Sequence, residues 1–269
     1  MIENKFKVID AHCHIYPEKI AQKAVAGTDA FYSTTAAGTG VVSDLMEMGK
    51  KAGIDHFVVQ SVATTPKQVT SINEFIAKSV GESNGILTGL GTLHPDSDDI
   101  KGDVDKIVSL GLHGVKLHPD IQRFAVDDDK CLEMYQQCSD NGLPVLMHTG
   151  DYRYDFSNPD RVENVLKTFP KLTLVGAHLG GWSVWEEAVQ KLSKYDNLVV
   201  DCSSTFPFTT MERAKNAFYQ YSTDRILFGT DYPMWSPVDE MKTFLSLDLE
   251  DEDLEKILSK NAIRVFNIK

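Results

Sequence analysis

The feature that most constrains the fold of this chain is an alternation, repeated along its length, between short apolar runs and helical patterns. Most of the runs are rich in Val, Ile and Leu on both faces, which is typical of parallel strands covered by helices. The eight runs are VIDAHCH (8–14), HFVVQSV (56–62), GILTGLGTLHP (85–95), HGVKLHP (113–119), LPVLMHTGD (143–151), LTLVGAHLGG (172–181), NLVVDCSS (197–204) and RILFGTDYP (225–233).

The segments between the runs place apolar residues at helical spacing. One such stripe consists of Val162, Val165, Leu166 and Phe169, and similar stripes follow later in the chain. A final helix is predicted from about Leu254 to Phe266. The stretch after Leu93, PDSDDIKGDVDKIVSLG, has room for only a short helix.

Eight strands alternating with eight helices in 269 residues predict an α/β fold with one domain, 1–269: a single (β/α)8 TIM barrel with a C-terminal helix. The longest loop, residues 15–39, follows strand 1. It is either a lid over the barrel mouth or a segment packed against neighbouring loops. The alternative fold is an open doubly wound sheet, but the chain has no GxGxxG or GxxxxGK[ST] phosphate turn after the first strand.

Composition limits the partners of the chain. The net charge is −12 and no basic cluster offsets it, so neither nucleic acid nor an anionic membrane is an expected partner. The amino terminus lacks a signal-peptide pattern, and no apolar run approaches the roughly 20 residues of a membrane span. The four cysteines form no CxxC pair and are expected to be reduced thiols of a cytoplasmic protein. A homodimer is an open alternative to a monomer.

The first run ends in an alternating pattern of metal-ligating residue types. Asp10, His12 and His14 stand at every second position, and residues two apart in a strand point the same way. Cys13 then faces the helices. Asp10 is expected one layer deeper, as an acceptor for a histidine N–H.

Polar residues collect at the carboxyl ends of the predicted strands, which share one rim in a barrel. His12, His14, His148, His178 and Asp231 come from strands 1, 5, 6 and 8, and closure brings strands 1 and 8 together. Nitrogen and oxygen ligands without thiolate favour zinc, with iron or manganese as alternatives. His94, another rim histidine, is interpreted as a hydrogen-bonded structural residue, as are His56 and His113 at the opposite rim.

At these residues the chain resembles the amidohydrolase superfamily, in particular its amidohydrolase-related branch of metal-dependent TIM-barrel hydrolases and nonoxidative decarboxylases. The motifs that carry the resemblance are DAHCH, GVKLHP, PVLMHTGD, GAHLGG, ILFGTDYPM and LSKNAIRVF, between residues 10 and 266. HxH followed by single histidines on strands 5 and 6 and an aspartate on strand 8 is a specific order.

The resemblance implies one divalent metal ion, zinc first, held by His12, His14, His148 and Asp231. Asp231 would move a proton between the metal-activated water and the leaving group, and His178 would orient that water. Lys116 stands where binuclear relatives carry a carbamylated lysine that bridges a second metal. Its other interpretations are a substrate carboxylate contact and a salt bridge, and it shares a face with His118.

Substrate contacts are expected from Lys116, His118, Arg153 and Trp182. Arg153 would bind a substrate carboxylate, or else form an ion pair with Asp151 or Asp155. Trp182 lies close enough to the rim to cover a planar substrate.

The predicted function is hydrolysis of an amide, lactone or other ester of a small carboxylate-bearing molecule. The first alternative is a metal-dependent decarboxylase of an aromatic or unsaturated acid, which would use the same residues. The second is a barrel that binds a ligand without catalysis.

Overall fold

The structure, a computed structural model that describes residues 5–269, is built on nine parallel strands in two sheets. The first sheet has the order β1–β2–β3 and the second the order β4 to β9, each strand beside its neighbour in sequence. The strands are β1 Ile9–His14, β2 His56–Gln60, β3 Leu87–Gly89, β4 Gly91–Thr92, β5 Val115–Leu117, β6 Val145–Met147, β7 Leu174–Gly176, β8 Leu198–Asp201 and β9 Ile226–Leu227.

The two sheets form one ring because they meet at two seams. At the first seam, β3 and β4 are a single predicted strand that changes partner at Leu90, whose N–H donates to the Val59 carbonyl, while the next N–H donates to Gly114. At the second seam, the N–H of Ala11 donates to the carbonyl of Phe228 at 2.9 Å, and Cys13 bridges to Tyr232. Eight strand segments therefore surround one axis, and the predicted (β/α)8 barrel is confirmed.

Helices follow the strands on the outside of the ring. The predicted stripe at Val162 to Phe169 lies on α7, which buries Val162, Val165 and Leu166. The helices are α1 Glu18–Tyr32, α2 Val42–Ala52, α3 Val69–Gly81, α4 Ile100–Ser109, α5 Pro119–Gln122, α6 Leu132–Asp140, α7 Pro159–Thr168, α8 Trp185–Leu192, α9 Met211–Tyr221, α10 Pro237–Leu245, α11 Asp251–Glu255 and α12 Asn261–Phe266.

Two segments are more helical than the sequence patterns indicate. The long connection after β1 carries the 15-residue helix α1, where no helix is predicted. The polar stretch after Leu93 forms the ten-residue helix α4, because Asp99 caps it by accepting the Gly102 N–H and its apolar residues Ile100, Val104 and Ile107 are buried.

The apolar core has two layers. An outer layer fills the space between strands and helices and includes Cys13 and Cys202, as the alternation of β1 and β8 predicts. An inner layer fills the barrel with strand residues such as Val58, Leu146 and Val175. The floor of that inner layer is closed by Phe266 and Ile268, so the predicted C-terminal helix is present and plugs the barrel.

Within residues 5–269, no helix combines the length and the apolar composition that are needed to cross a bilayer.

Candidate metal centre at the carboxyl ends of the strands

The two histidines of the HxH motif lie side by side at the barrel mouth. Both rings leave the inner face of β1, and His12 Nε2 is 3.2 Å from His14 Nε2. His12 is fully buried, while His14 keeps partial contact with the cavity. Two ring nitrogens on one strand therefore face a common point.

Asp231 reaches the same point from the end of the last barrel strand. Its Oδ1 lies 3.4 Å from His12 Nε2 and 3.5 Å from His14 Nε2. Its Oδ2 accepts a 2.6 Å hydrogen bond from Ser204, whose hydroxyl in turn accepts from Trp235 Nε1. These two hydrogen bonds hold one carboxylate oxygen of Asp231 away from the histidines and leave the other directed at them.

His178 and His148 form the opposite wall. His178 Nδ1 lies 2.9 Å from the Ser203 carbonyl and donates to it, so the lone pair is on Nε2. That Nε2 lies 3.1 Å from His148 Nδ1, and His148 Nε2 lies 3.1 Å from the Gly150 carbonyl. Both facing nitrogens therefore carry lone pairs, with no proton between them.

The backbone is held in an uncommon conformation at two of these residues. His178 has a φ of 60° and Asp231 a φ of 58°, in the left-handed region that non-glycine residues rarely adopt. Such conformations persist where the surrounding structure fixes them, and they concentrate at functional sites.

Asp201 at the end of β8 fixes the orientation of the His12 ring. Its Oδ2 accepts the Nδ1–H of His12 at 2.9 Å, and its Oδ1 accepts a hydrogen bond from Ser203. Asp10, expected in this role, instead accepts the backbone N–H of His12 and two hydrogen bonds from Thr230. The acceptor behind the histidine ring is thus Asp201, since the carboxylate of Asp10 points toward the Thr230 turn.

Burial keeps the histidines neutral. It lowers the pKa of His12, His14 and His148 well below the usual value, with nearby cationic groups acting in the same direction. It lowers the pKa of His178 to about 4. Neutral imidazole is the form that binds metal ions.

The donor set fits a divalent metal ion. Among residues 5–269, two groups have ligand atoms within 4.8 Å of one another: His12, His14 and Asp231, and His12, His178 and Asp201. The first consists of three of the four predicted ligands. His148 belongs to neither group, and its role as the fourth ligand stays a prediction. Converging lone pairs of neutral imidazoles beside a carboxylate repel one another unless a cation lies between them.

Lys116 supplies a cationic group in this cluster. Its Nζ lies 3.0 Å from His12 Nε2, and the side chain is fully buried. Burial lowers the pKa of Lys116 to about 8, although the carboxylates of Asp231 and Asp201 oppose that shift. The amine therefore releases its proton more easily than an exposed lysine, which carbamylation, one of the interpretations of Lys116, would require.

The site opens into a cavity of about 960 Å³ at the barrel mouth. Its walls include Lys116, His118 and Trp182, as expected for substrate contacts, and also the aromatic side chains of Tyr32, Phe208 and Trp235. Trp182 contacts Tyr32 and Phe208 edge to face. A planar, partly apolar molecule fits walls of this kind.

Arg153 makes the ion pair that is the alternative to substrate binding. Its Nε and Nη2 donate to Asp151, at 2.9 and 2.7 Å, and its Nη1 donates to the Phe31 carbonyl at 2.8 Å. Every nitrogen of the guanidinium therefore has a protein partner, and Arg153 is not among the residues that line the cavity.

The histidines interpreted as structural have partners that are not among the candidate metal ligands. His56 lies 2.8 Å from the Thr88 hydroxyl, and His113 Nδ1 donates to the Phe266 carbonyl at the barrel floor. His94 Nδ1 accepts the backbone N–H of Asp96.

Sequence reasoning assigned no role to Asp201, Ser204 or Trp235. Asp201 and Ser204 lie at the carboxyl end of the seventh predicted run, and that position at the rim is the signal that could have identified them. Trp235 lies beyond the last strand, and no pattern distinguishes it from a packing residue.

Three comparisons relate this chain to known proteins. A profile of the amidohydrolase family matches residues 9–268. No match was found among curated proteins. Among solved structures, an uncharacterised TIM-barrel protein from Bordetella bronchiseptica has 24% identity and a TM-score of 0.79, covering 97% of this chain and 99% of its own.

Two further solved structures carry functional descriptions. A dihydroxybenzoic acid decarboxylase from Polaromonas sp. JS666, with bound manganese and the inhibitor 2-nitroresorcinol, has 14% identity and a TM-score of 0.75, covering 97% of both chains. A protein from Pseudomonas putida proposed to be a 2-pyrone-4,6-dicarboxylic acid hydrolase has 17% identity and a TM-score of 0.70, covering 99% of both. At these identities the likeness establishes the fold.

The fold and site define a (β/α)8 barrel with histidines and an aspartate at the carboxyl ends of its strands that could hold a metal ion. The profile match covers nearly the whole chain. The chain belongs to the amidohydrolase family.

Proposed function

We propose that this protein is a metal-dependent hydrolase that acts on an amide, a lactone or another ester of a small carboxylate-bearing molecule. The observation that carries the proposal is the convergence of His12 Nε2, His14 Nε2 and Asp231 Oδ1 on one point, at the base of a cavity of about 960 Å³. We propose one domain, 1–269, as the catalytic unit.

His12, His14, His148 and Asp231 would hold the ion, with zinc as the first candidate and manganese as the alternative that the Polaromonas relative contains. When bound, such an ion lowers the pKa of a water molecule and polarises a carbonyl group.

The residues of the chain account for the proton movements. Burial raises the pKa of Asp231, and this carboxylate would take a proton from water and return it to a leaving group. His178 is held by Ser203 with its Nε2 directed into the site, where it accepts a hydrogen bond from that water. Lys116 on the cavity wall would bind a substrate carboxylate. His118, whose Nε2 contacts the Tyr32 hydroxyl, would act on the substrate through that hydroxyl.

A second candidate function is nonoxidative decarboxylation of an aromatic or unsaturated acid. The aromatic cavity wall, with Trp182 in contact with Tyr32 and Phe208, favours it because such a wall suits a planar conjugated ring. The dihydroxybenzoic acid decarboxylase among the relatives supports the same candidate.

The test begins with elemental analysis of wild type and of the His12→Ala/His14→Ala double variant. His113→Asn is the matched control, because His113 contacts the barrel floor. We expect about one equivalent of metal in wild type and in the control, and its loss in the double variant. About two equivalents would place a carbamylated Lys116 between two ions. A wild type that neither contains nor takes up zinc, manganese or iron contradicts the proposal.

Metal-loaded protein is then incubated in H₂¹⁸O with lactones, amides, esters and aromatic acids. Incorporation of one ¹⁸O per turnover without release of carbon dioxide identifies the hydrolase. Carbon dioxide without ¹⁸O in the organic product identifies the decarboxylase. The absence of turnover across the set, with metal bound, favours a ligand-binding barrel.

A further inference from the structure

Tyr32, the last residue of α1, places its hydroxyl between two histidines of the site. The hydroxyl oxygen lies 2.9 Å from His118 Nε2 and 3.4 Å from His148 Nε2. Tyr32 lines the same cavity as His12, His14 and Asp231. The helix that follows the first strand thus brings a hydroxyl group to the candidate metal centre.

The hydrogen bonds behind the two histidines decide which group donates to which. His118 Nδ1 accepts the backbone N–H of Ile121 as the cap of α5. His118 therefore carries its proton on Nε2 and donates it to the Tyr32 oxygen, because a neutral imidazole has one donor and one acceptor.

His148 cannot accept the proton of Tyr32. Its Nε2–H donates to the Gly150 carbonyl at 3.1 Å, so that nitrogen has no lone pair. The Tyr32 O–H then has no protein acceptor at either histidine and is free to donate into the cavity. Donation by His118 to the same oxygen polarises the O–H bond and strengthens it as a donor.

The phenol keeps its proton at neutral pH. The ordinary pKa of a phenol is about 10. The group is therefore a hydrogen-bond donor and not a base.

Contacts to the ring fix the hydroxyl independently of its own hydrogen bonds. The Tyr32 ring meets Trp182 edge to face, with centroids 5.3 Å apart. Arg153 lies over the ring at 5.0 Å and binds the carbonyl of the preceding residue, Phe31. Removal of the oxygen alone should leave the ring in place.

We propose that Tyr32 is a further catalytic residue of this site, whose O–H donates a hydrogen bond to the substrate oxygen on which negative charge develops. The ligand chemistry is a carbonyl, carboxylate or phenolate oxygen. The role deepens the proposed function and rests on it for its catalytic consequence, whereas the proton arrangement can be measured without any turnover.

The first test is the tautomer of His118, read from ¹⁵N chemical shifts of the histidine side chains in the intact protein. His118→Gln identifies the resonance. We expect protonated Nε2 and unprotonated Nδ1 in wild type and in Tyr32→Phe. A wild type with protonated Nδ1 and unprotonated Nε2 overturns the proposal, because Tyr32 would then donate to His118.

The second test compares Tyr32→Phe with Tyr154→Phe at equal metal content. Tyr154 belongs to the same ring cluster, stacked on Phe31, but it does not line the cavity. We expect kcat/KM of Tyr32→Phe to fall about 100-fold, the order for one lost donor to a developing charge, and that of Tyr154→Phe to stay within about twofold of wild type. Rates of Tyr32→Phe equal to wild type contradict the proposal. A wild type that binds metal but turns over no compound refutes the proposed function. In that case the tautomer of His118 still shows whether the Tyr32 O–H is free to donate into the cavity, and a protonated Nδ1 overturns the proposal for Tyr32.

Discussion

At the scale of single residues, the orientation of the imidazole rings in the site is fixed by the hydrogen-bond acceptors of their Nδ1 atoms. His12 donates through Nδ1 to Asp201 and His178 through Nδ1 to Ser203, which directs both Nε2 lone pairs inward. The sequence predicts which residues reach the rim, because strand periodicity is local. It does not predict Asp201 as the acceptor of His12, because that contact joins residues 189 positions apart and depends on barrel closure.

We expect Asp201→Asn to weaken metal binding about 10- to 100-fold, because partners of metal-binding histidines fix their tautomer and orientation. Metal affinity is measured by competition with a chelating dye. Asp127→Asn is the control, since Asp127 pairs with Arg161 away from the site. Equal affinities in wild type and Asp201→Asn would show that His12 needs no partner.

A pH-dependent contribution to stability is expected from Glu163 on α7. Hydrogen bonds from Lys194, Lys167 and Tyr195 lower its pKa to about 2. A carboxylate whose pKa is lower in the folded state stabilises the fold above its unfolded pKa, about 4.3, and loses that effect as the pH falls toward 2.

Glu163→Gln should therefore be less stable than wild type by up to about 1 kcal/mol at pH 7, and the difference should shrink as the pH falls from about 4.5 toward 2. Urea unfolding at several pH values measures it. Glu187→Gln, which removes one exposed pairing with Lys191, should change the free energy of unfolding less. A difference that grows on acidification would contradict the assignment.

At the scale of elements, the helices that pack on the barrel are predicted from periodicity, whereas α1 is not. Of the 15 residues of α1, only Ala21 is buried, and much of the helix borders the cavity. A helix that covers a cavity does not need a continuous apolar stripe, so helical periodicity does not distinguish its sequence from that of a loop. A lid over the mouth is one of the two interpretations of the long connection after β1, and α1 is the element of that connection that borders the cavity.

The end of α1 is held over the mouth by Arg153. We expect Arg153→Ala to increase amide hydrogen exchange in residues 18–32 about 5- to 30-fold, corresponding to about 1 to 2 kcal/mol of lost local stability. Exchange followed by mass spectrometry measures it. Arg161→Ala is the matched control, because Arg161 pairs with Asp127 and Asp155. Unchanged exchange in α1 would show that other contacts hold the helix.

At the scale of the whole molecule, the barrel is closed at its floor by the last helix. Phe266 is fully buried with Ile268 in the inner layer, and its carbonyl accepts the His113 hydrogen bond. The sequence predicts a terminal helix with an apolar side. It does not predict which surface that side packs against, because this surface exists only when the barrel has closed.

Phe266→Ala should reduce the free energy of unfolding by about 3 to 5 kcal/mol, the range for a large buried side chain replaced by alanine. Urea unfolding measures the change. Phe208→Ala, at a ring that is 46% exposed, should cost much less. Similar losses for both variants would contradict the role of Phe266 as the plug of the barrel.

The seam between Ala11 and Phe228 also bears on how the protein is made. The first strand emerges from the ribosome long before its partner at the other side of the ring. At about 5 to 20 residues per second, the roughly 200 intervening residues take roughly 10 to 40 s to synthesise. During that time His12 and His14 are available but Asp231 does not yet exist. We therefore expect the proposed metal centre to be loaded only after Asp231 has been synthesised and the first and last strands have paired.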